Sequence, residues 1–200
     1  MSTKTKRYES EPRRQFVIRA IKSLKESLDR SFRTGYPWVI HPETHKLFPK
    51  YTEPEGDPGQ ATQCLIAFAN TRGIEVSIVE GWDFFGNFDG RNIQLEQELS
   101  AAEEFLTLAH ELAHVVLSKR GRKPSEEVCE LEAEAVAFVV SSAIGLDCLQ
   151  AATDYIFLSG GKVHMIEQSA ERISKASCEL LAPLADGLKL DFGDMKRFAA

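Results

Sequence analysis

The stretch that decides the fold of this 200-residue chain is residues 99–120, LSAAEEFLTLAHELAHVVLSKR. Ser100, followed three residues later by Glu103, forms a capping box, which is a signature of a helix start. Apolar side chains then recur at helical spacing as far as Leu117, and Gly121 follows as a stop signal. The sequence therefore predicts a largely buried helix over residues 101–120.

Within this helix, residues 110–114 read HELAH, which is the pattern HExxH. Four helical residues turn through about 400° and rise about 6 Å, so His110 and His114 share a face and can bind one metal ion. Glu111 lies beside the metal position, where its carboxylate can take a proton from a metal-bound water. The alternative interpretation is a pair of partly buried histidines that bind no metal.

A catalytic zinc site needs a third protein ligand and one open position. The next predicted helix, residues 126–144, supplies the candidates Glu126, Glu127, Glu130, Glu132 and Glu134. Of these, Glu130 and Glu134 lie four residues apart on one face. The helix dipole favours acidic side chains at a helix start, which explains Glu126 and Glu127 without a metal. It explains Glu134 less well, because that residue lies two turns further in, among alanines. Helix spacing alone leaves the choice between Glu130 and Glu134 open.

The remaining segments predict further helices around a small sheet. Further helices are expected at residues 12–34, 60–71, 147–158 and 163–181, the last ending before Pro183. Strands are expected near 38–40 and at 74–80, 84–88 and 92–95, with irregular structure over the rest of 33–60. Asp89-Gly90 is a strong turn pair and predicts a hairpin between the last two strands. The predicted class is α+β, with a small mixed or antiparallel sheet packed on a helical bundle.

Composition excludes several classes of protein. Hydrophobic residues make up 43% and charged residues 27% of the chain, as in folded domains rather than disordered or fibrous chains. No apolar run approaches the roughly 20 residues of a membrane span, and we expect no secretory signal at the N-terminus. The four cysteines form no CxxC pair. We therefore expect reduced thiols, a cytoplasmic protein and no association with a membrane.

Charge is unevenly distributed along the chain, whose formal net charge is −6. Residues 1–25 carry eight Lys and Arg against two Glu. Such a basic arm can make weak DNA contacts that added salt would abolish. The alternative is a solvated tail that leads into the charged outer face of a helix. The acidity of the whole chain argues against a protein whose main role is to wrap nucleic acid.

The two motifs together resemble the ImmA/IrrE family of zincin-like metallopeptidases, and more closely the metallopeptidase domain of ArdC-type antirestriction proteins. TLAHELAHVVL at 107–117 is followed, 16 residues after His114, by ELEAEAVAFVV at 130–140. Both families pair HExxH with a glutamate in an ExxA(D/N/E) helix. The resemblance covers about residues 60–182. The N-terminal DNA-binding domain of full ArdC proteins has no counterpart of adequate length here, and Ser-Ser-Ala-Ile-Gly replaces the proline that follows the third-ligand helix in ImmA.

This resemblance implies a zincin-like (gluzincin) metallopeptidase domain at 36–186, preceded by a basic arm and helix at 1–35 and followed by a tail at 187–200. It implies Glu130 as the third Zn²⁺ ligand beside His110 and His114. Glu134 would be an acid that orients a ligating histidine. The implied activity is that of a zinc-dependent metallo-endopeptidase, which cleaves a cytoplasmic protein or peptide with Glu111 as the base.

Two other side chains are candidates for the same site. Tyr155 can stabilise the oxyanion of a tetrahedral intermediate, although ordinary half-buried packing is the alternative. His164 follows Gly160-Gly161 and can approach as a proton donor, and its alternative is a surface histidine at a helix start. His41 and His45 also lie four residues apart. Pro42 favours a loop there, and the alternative is a second metal site.

A different class of function fits the same motifs. The chain can be a non-catalytic regulatory or antirestriction-type binding protein whose metal site is structural or vestigial. Glu111 favours catalysis over this alternative, because a purely structural site has no use for a base beside the metal. The sequence leaves the oligomeric state and the substrate open.

Overall fold

The computed structural model describes residues 11–35, 38–40, 47–49, 51–81, 84–118 and 124–192, and at 38–40 and 47–49 it describes the backbone alone. The described helices are α1 (Glu11–Thr34), α2 (Ala61–Asn70), α3 (Ala101–Ser118), α4 (Glu126–Ile144), α5 (Leu149–Leu158) and α6 (Val163–Leu188). The described strands are β1 (Trp38–Ile40), β2 (Leu47–Pro49), β3 (Glu75–Val79), β4 (Gly86–Phe88) and β5 (Asn92–Glu96). The fold is α+β, as the sequence predicts. None of the helices in these ranges has the length and apolar character needed to cross a membrane.

The three-stranded sheet is mixed and has the order β3-β5-β4. β3 runs parallel to β5, and β4 runs antiparallel to β5 with Gly86 opposite Leu95. The predicted hairpin is confirmed, since the Asp89 carboxylate accepts the N–H groups of Arg91 and Asn92 at 2.8 and 2.7 Å. This hairpin puts β4 at one edge of the sheet, next to α3.

The helix pair α3 and α4 lies at the centre of the core. The predicted capping box at the start of α3 is confirmed. The Ser100 N–H donates to Glu103 at 3.0 Å, and the Glu103 N–H donates to the Ser100 hydroxyl at 3.2 Å. At the far end of α4, Gly145 adopts a left-handed conformation with φ of 102° and ends the helix as predicted. Both helices bury an apolar face, and α6 packs across both.

α1 belongs to the same core as the helices of the site. Its residues Phe16, Leu24 and Leu28 are fully buried, and the helix packs on α4, α5 and α6. The first ten residues of the basic arm, His41, His45, the loop at 119–123 and the tail at 193–200 lie outside the described residues. DNA contact through the arm therefore stays a prediction.

Two element predictions are wrong. α6 does not end before Pro183 but continues to Leu188. A proline removes one helix hydrogen bond, whereas Leu180, Leu181 and Leu184 are all fully buried on either side of it and hold the helix in place. The strand β2 was not predicted, although it pairs antiparallel with β1. β2 has three residues and ends at Pro49, which is too short for an alternating pattern to show in the sequence.

Candidate metal centre

The packing of α3 against α4 brings three predicted ligands together. The Nε2 atoms of His110 and His114 are 3.0 Å apart. The carboxylate of Glu130 reaches both histidines, since Oε2 lies 3.4 Å from His110 Nε2 and Oε1 lies 3.4 Å from His114 Nε2. Among the described residues, these three form the group of His, Cys, Asp or Glu side chains whose ligand atoms lie within 4.8 Å of one another.

The spacing of these atoms fits a single tetrahedral ion. Ligands at about 2.0–2.2 Å from a tetrahedral zinc stand about 3.3 Å from one another. The observed separations of 3.0 and 3.4 Å match that figure. Two imidazoles and one carboxylate also form a donor set found in catalytic zinc sites, which keep the fourth position for water or substrate. The residues present therefore fit a divalent metal such as Zn²⁺.

Glu134 lies on the other side of the His110 ring. Its Oε2 is 2.9 Å from His110 Nδ1, and its side chain is buried. A hydrogen bond from the Nδ1 N–H to this carboxylate leaves Nε2 facing His114 and Glu130. Glu130 and Glu134 therefore occupy different positions, although both project from one face of α4. Glu130 has the position of a ligand, and Glu134 has that of a residue that orients one.

The cluster of two histidines and two glutamates shifts the pKa values of its members. Burial lowers the pKa of His110, but hydrogen bonds to Glu130 and Glu134 outweigh it and raise the value to about 10. The same histidines, through hydrogen bonds, hold the pKa of Glu130 well below its usual range. The metal-free chain therefore keeps a proton on His110 and an ionised Glu130 at neutral pH.

Glu111 lines the cleft beside His110. Burial raises the pKa of the Glu111 carboxyl, and the neighbouring histidines His110 and His114 oppose that rise. A carboxylate with a raised pKa is a stronger base than one in water. Its position on the cleft, next to a ligand but outside the ligand triangle, is where a general base is needed.

Tyr155 contacts the ligand set from α5. Its hydroxyl donates a hydrogen bond to Glu130 Oε2 at 2.9 Å, and its ring centroid lies 5.3 Å from that of His110. Burial raises the pKa of this phenol, so it stays protonated and remains a donor. His164, by contrast, is exposed in the first turn of α6, beside Glu167. The described residues that line the cleft do not include His164.

Sequence reasoning missed the apolar side of the cleft, which has a volume of about 280 Å³. The lining residues not identified beforehand are Tyr51, Phe84, Phe85, Gly86, Leu106 and Thr107. Tyr51 lies in a segment without periodicity, so nothing in the sequence assigned it a position. The adjacent pair Phe84-Phe85 carried one usable signal, because two neighbouring aromatic residues before a short strand cannot both face the core.

An ion pair near the site was also missed. Arg172 of α6 donates from Nε to both carboxylate oxygens of Glu132, at 2.9 and 3.0 Å, and the Glu132 side chain is buried. The Arg172 Nη2 group lies 3.5 Å from the carbonyl oxygen of Leu117, near the end of α3. One guanidinium thus links the two helices that carry the ligands.

Residues 73–159 match the family model of the IrrE N-terminal-like domain, Peptidase_M78. The match includes β3, β4, β5, α3, α4 and α5, and with them His110, Glu111, His114, Glu130 and Tyr155. It covers less than half of the chain. It supports a relationship to the ImmA/IrrE-like family and a metallopeptidase activity. No curated protein and no solved structure matches the chain. The closer resemblance to ArdC-type proteins stays a prediction.

Proposed function

We propose that the chain is a zinc-dependent metallo-endopeptidase with a zincin-like (gluzincin) core that cleaves a cytoplasmic protein. The observation that carries this proposal is the triangle of His110, His114 and Glu130, of which His110 lines the same cleft as Glu111. A structural metal site is normally closed by four protein ligands, whereas this one combines three ligands with a base that faces an accessible cleft.

Each residue has a defined task in this proposal. His110, His114 and Glu130 hold the ion, and Glu134 fixes the orientation of His110. The zinc supplies a Lewis acid for the scissile carbonyl and lowers the pKa of water towards about 7. Glu111 takes the proton of the attacking water and returns it to the leaving amine. The Tyr155 hydroxyl donates to Glu130 in this structure, and it would turn from that carboxylate to hydrogen-bond the developing oxyanion.

The edge strand β4 offers a place for the substrate backbone. The Phe85 carbonyl accepts the Glu96 N–H at 2.9 Å, and the Asp89 N–H donates to the Asn92 carbonyl at 3.1 Å. Because backbone groups alternate along an antiparallel pair, those of Gly86 and Phe88 point away from β5. An extended peptide can pair with this edge. Gly86 itself lines the cleft, so such a peptide would pass Glu111.

The experiment that tests this function compares wild type, Glu130→Ala and Glu111→Gln. Zinc is counted by elemental analysis, and hydrolysis is followed with a mixture of quenched fluorescent peptides. We expect about one zinc per chain in wild type, with peptide cleavage. Glu130→Ala should lose both the zinc and the activity. Glu111→Gln should keep the zinc and lose at least about a hundredfold in rate, as expected for the loss of a general base.

The matched control is Glu126→Ala, which removes an exposed glutamate from the first turn of the same helix as Glu130. It should retain both zinc and activity. A wild-type chain that takes up no zinc from solution would overturn the proposal. Stable zinc binding without cleavage of any peptide would instead favour the non-catalytic binding protein.

A further inference from the structure

We propose that Tyr51, Phe84 and Phe85 form a subsite that selects a large apolar side chain, above all an aromatic one, next to the scissile bond of the substrate. This inference rests on the proposed function, because it assigns a specificity to the same cleft. The three residues are called the aromatic wall below.

The first observation is the exposure of the aromatic wall. Phe84 is 71% exposed and Phe85 is 47% exposed. The rings of Phe85 and Tyr51 lie with their centroids 5.8 Å apart. Scattered exposed apolar residues are ordinary, but a contiguous group of them marks a binding surface. Here the group borders the cleft that contains His110 and Glu111.

The second observation is how closely the wall approaches the ligand helix. A Cβ atom at Gly86 would lie 2.6 Å from Thr107 Cγ2 and 3.2 Å from Leu95 Cδ2. The strand can therefore approach α3 this closely only because residue 86 has no side chain. This contact holds Phe84 and Phe85 beside the cleft that His110 and the buried Leu106 also line.

The size and chemistry of the cleft decide what occupies it. Its volume of about 280 Å³ is just below the range of about 300–1,000 Å³ typical of pockets for whole small molecules. One large side chain fits this space better than a longer segment. An aromatic side chain binds most favourably against other aromatic rings, because it makes stacked or edge-to-face contacts with them. A basic side chain is the competing occupant. The Glu134 carboxylate is already engaged by His110, so Glu111 is the carboxylate of the cleft that would favour such a side chain.

The third observation is that Tyr51 is held in place by a buried carboxylate. Asp154 of α5 is fully buried. It accepts the Thr52 N–H at 3.0 Å and the Gln150 side-chain amide at 2.6 Å. Further along, Glu55 and Asp147 exchange backbone hydrogen bonds of 2.9 and 2.8 Å. Residues 51–55 are thus tied to the α5 side of the fold at two points, and Asp154 is the positioning residue for Tyr51.

The test uses a series of short peptides that carry a single Phe, Leu, Lys or Ala in an otherwise Gly-Ser sequence. Binding is measured by calorimetry with zinc-loaded Glu111→Gln, and hydrolysis is measured with wild type. We expect the Phe peptide to bind at least about tenfold more tightly than the Ala peptide, which is about 1.4 kcal/mol. Wild type should cleave next to Phe in preference to Ala by a similar factor.

Variants of the aromatic wall then locate the preference. In Phe84→Ala and Phe85→Ala, each combined with Glu111→Gln, the Phe-to-Ala ratio should fall to within about twofold while zinc content is unchanged. Ile78→Ala is the control, because Ile78 is also exposed, at 51%, but lies on β3 at the other edge of the sheet. Asp154→Ala should reduce the ratio in the same way, and Asp154→Asn, which keeps an acceptor for the Thr52 N–H, should restore it.

The outcomes separate this inference from the proposed function. Equal or absent binding of all peptides, a preference for Lys, or a Phe preference that survives both wall variants overturns the subsite. Cleavage without selectivity also overturns the subsite, but it supports the proposed peptidase activity. If zinc is bound but nothing is cleaved, the proposed function fails. The binding preference of the Glu111→Gln protein still decides whether the aromatic wall selects a side chain.

Discussion

Glu134 Oε2 lies 2.9 Å from Nδ1 of His110, whereas the other ring nitrogen, Nε2, approaches His114 and Glu130. The carboxylate thereby fixes which nitrogen carries the proton and which is available to a metal. Because His110 is buried, no water can take over this task without a rearrangement. In the proposed site, Glu134 would therefore act on the metal through His110.

The first prediction concerns Glu134→Ala. Loss of an outer carboxylate of this kind typically costs about 10–100-fold in metal affinity, and we expect a decrease in that range. Glu134→Gln should lose less, because its amide oxygen can still accept from Nδ1. Competition against a chromophoric chelator measures both affinities. An affinity for zinc that is unchanged in Glu134→Ala would show that His110 does not depend on this partner.

The second prediction is that zinc uptake by the metal-free chain releases protons. The pKa of His110 is raised to about 10, so near pH 7 the folded chain holds a proton that a metal ligand must give up. Zinc and the proton compete below that pKa, and the apparent affinity should therefore rise about tenfold per pH unit up to about pH 10. Glu130, with its lowered pKa, is already ionised and adds no proton.

Calorimetry in two buffers of different ionisation enthalpy measures this release. We expect about one proton per zinc at pH 7 from His110. Glu134→Gln removes one of the three carboxylates that raise the pKa of His110, so its zinc uptake should release fewer protons. Heats that do not depend on the buffer would contradict the prediction.

The ligand helices were predictable because strong local signals coincide there. The capping box at Ser100 precedes α3, the apolar spacing and the HExxH pattern fall within it, and Gly145 marks the end of α4. Each of these signals involves residues within one or two helical turns of one another, so it can be recognised in the sequence without knowledge of the tertiary fold. Which of Glu130 and Glu134 faces both histidines depends on how α3 crosses α4. Residue spacing within one helix carries no information about that crossing.

The features that the sequence did not predict depend on contacts between residues far apart in the chain. Tyr51 reaches the cleft because Asp154, about a hundred residues later, binds the neighbouring N–H group. Pro183 is a strong stop signal locally, yet the burial of Leu184 outweighs it. Such residues are placed by tertiary packing, which overrides local propensity.

The third prediction is that Tyr155→Phe weakens zinc binding and hydrolysis to different extents. The lost hydrogen bond to the ionised Glu130 is worth about 1.5–3 kcal/mol at most, so we expect zinc affinity to fall by about tenfold. If the phenol also stabilises the oxyanion, kcat of the zinc-loaded variant should fall by about 10²–10³-fold, with little change in KM. Titration with zinc, followed by peptide kinetics at saturating metal, separates the two effects. A normal kcat at full zinc occupancy would restrict Tyr155 to supporting Glu130.

The fourth prediction concerns Arg172, which contacts Leu117 near the end of α3 and Glu132 in the second turn of α4. Arg172→Ala leaves the Glu132 carboxylate buried without the guanidinium that now binds both of its oxygens. Removing one partner of a buried pair costs about 3–5 kcal/mol, and we expect a decrease of that size in the free energy of unfolding by urea. Lys175→Ala is the matched control on the same helix, because it breaks the exposed ion pair with Glu171 and should cost less than about 1 kcal/mol.

The double variant Arg172→Met with Glu132→Met distinguishes a missing charge partner from a general loss of packing. It replaces the ion pair by side chains of similar length and should recover much of the lost stability, since a buried pair can often be exchanged for neutral groups at little net cost. If Arg172→Ala and Lys175→Ala destabilise the chain equally, then water reaches Glu132 in solution and the guanidinium does not hold α3 to α4. If the double variant is as unstable as Arg172→Ala, the contact of Arg172 with the Leu117 carbonyl is the interaction that stabilises the helix pair.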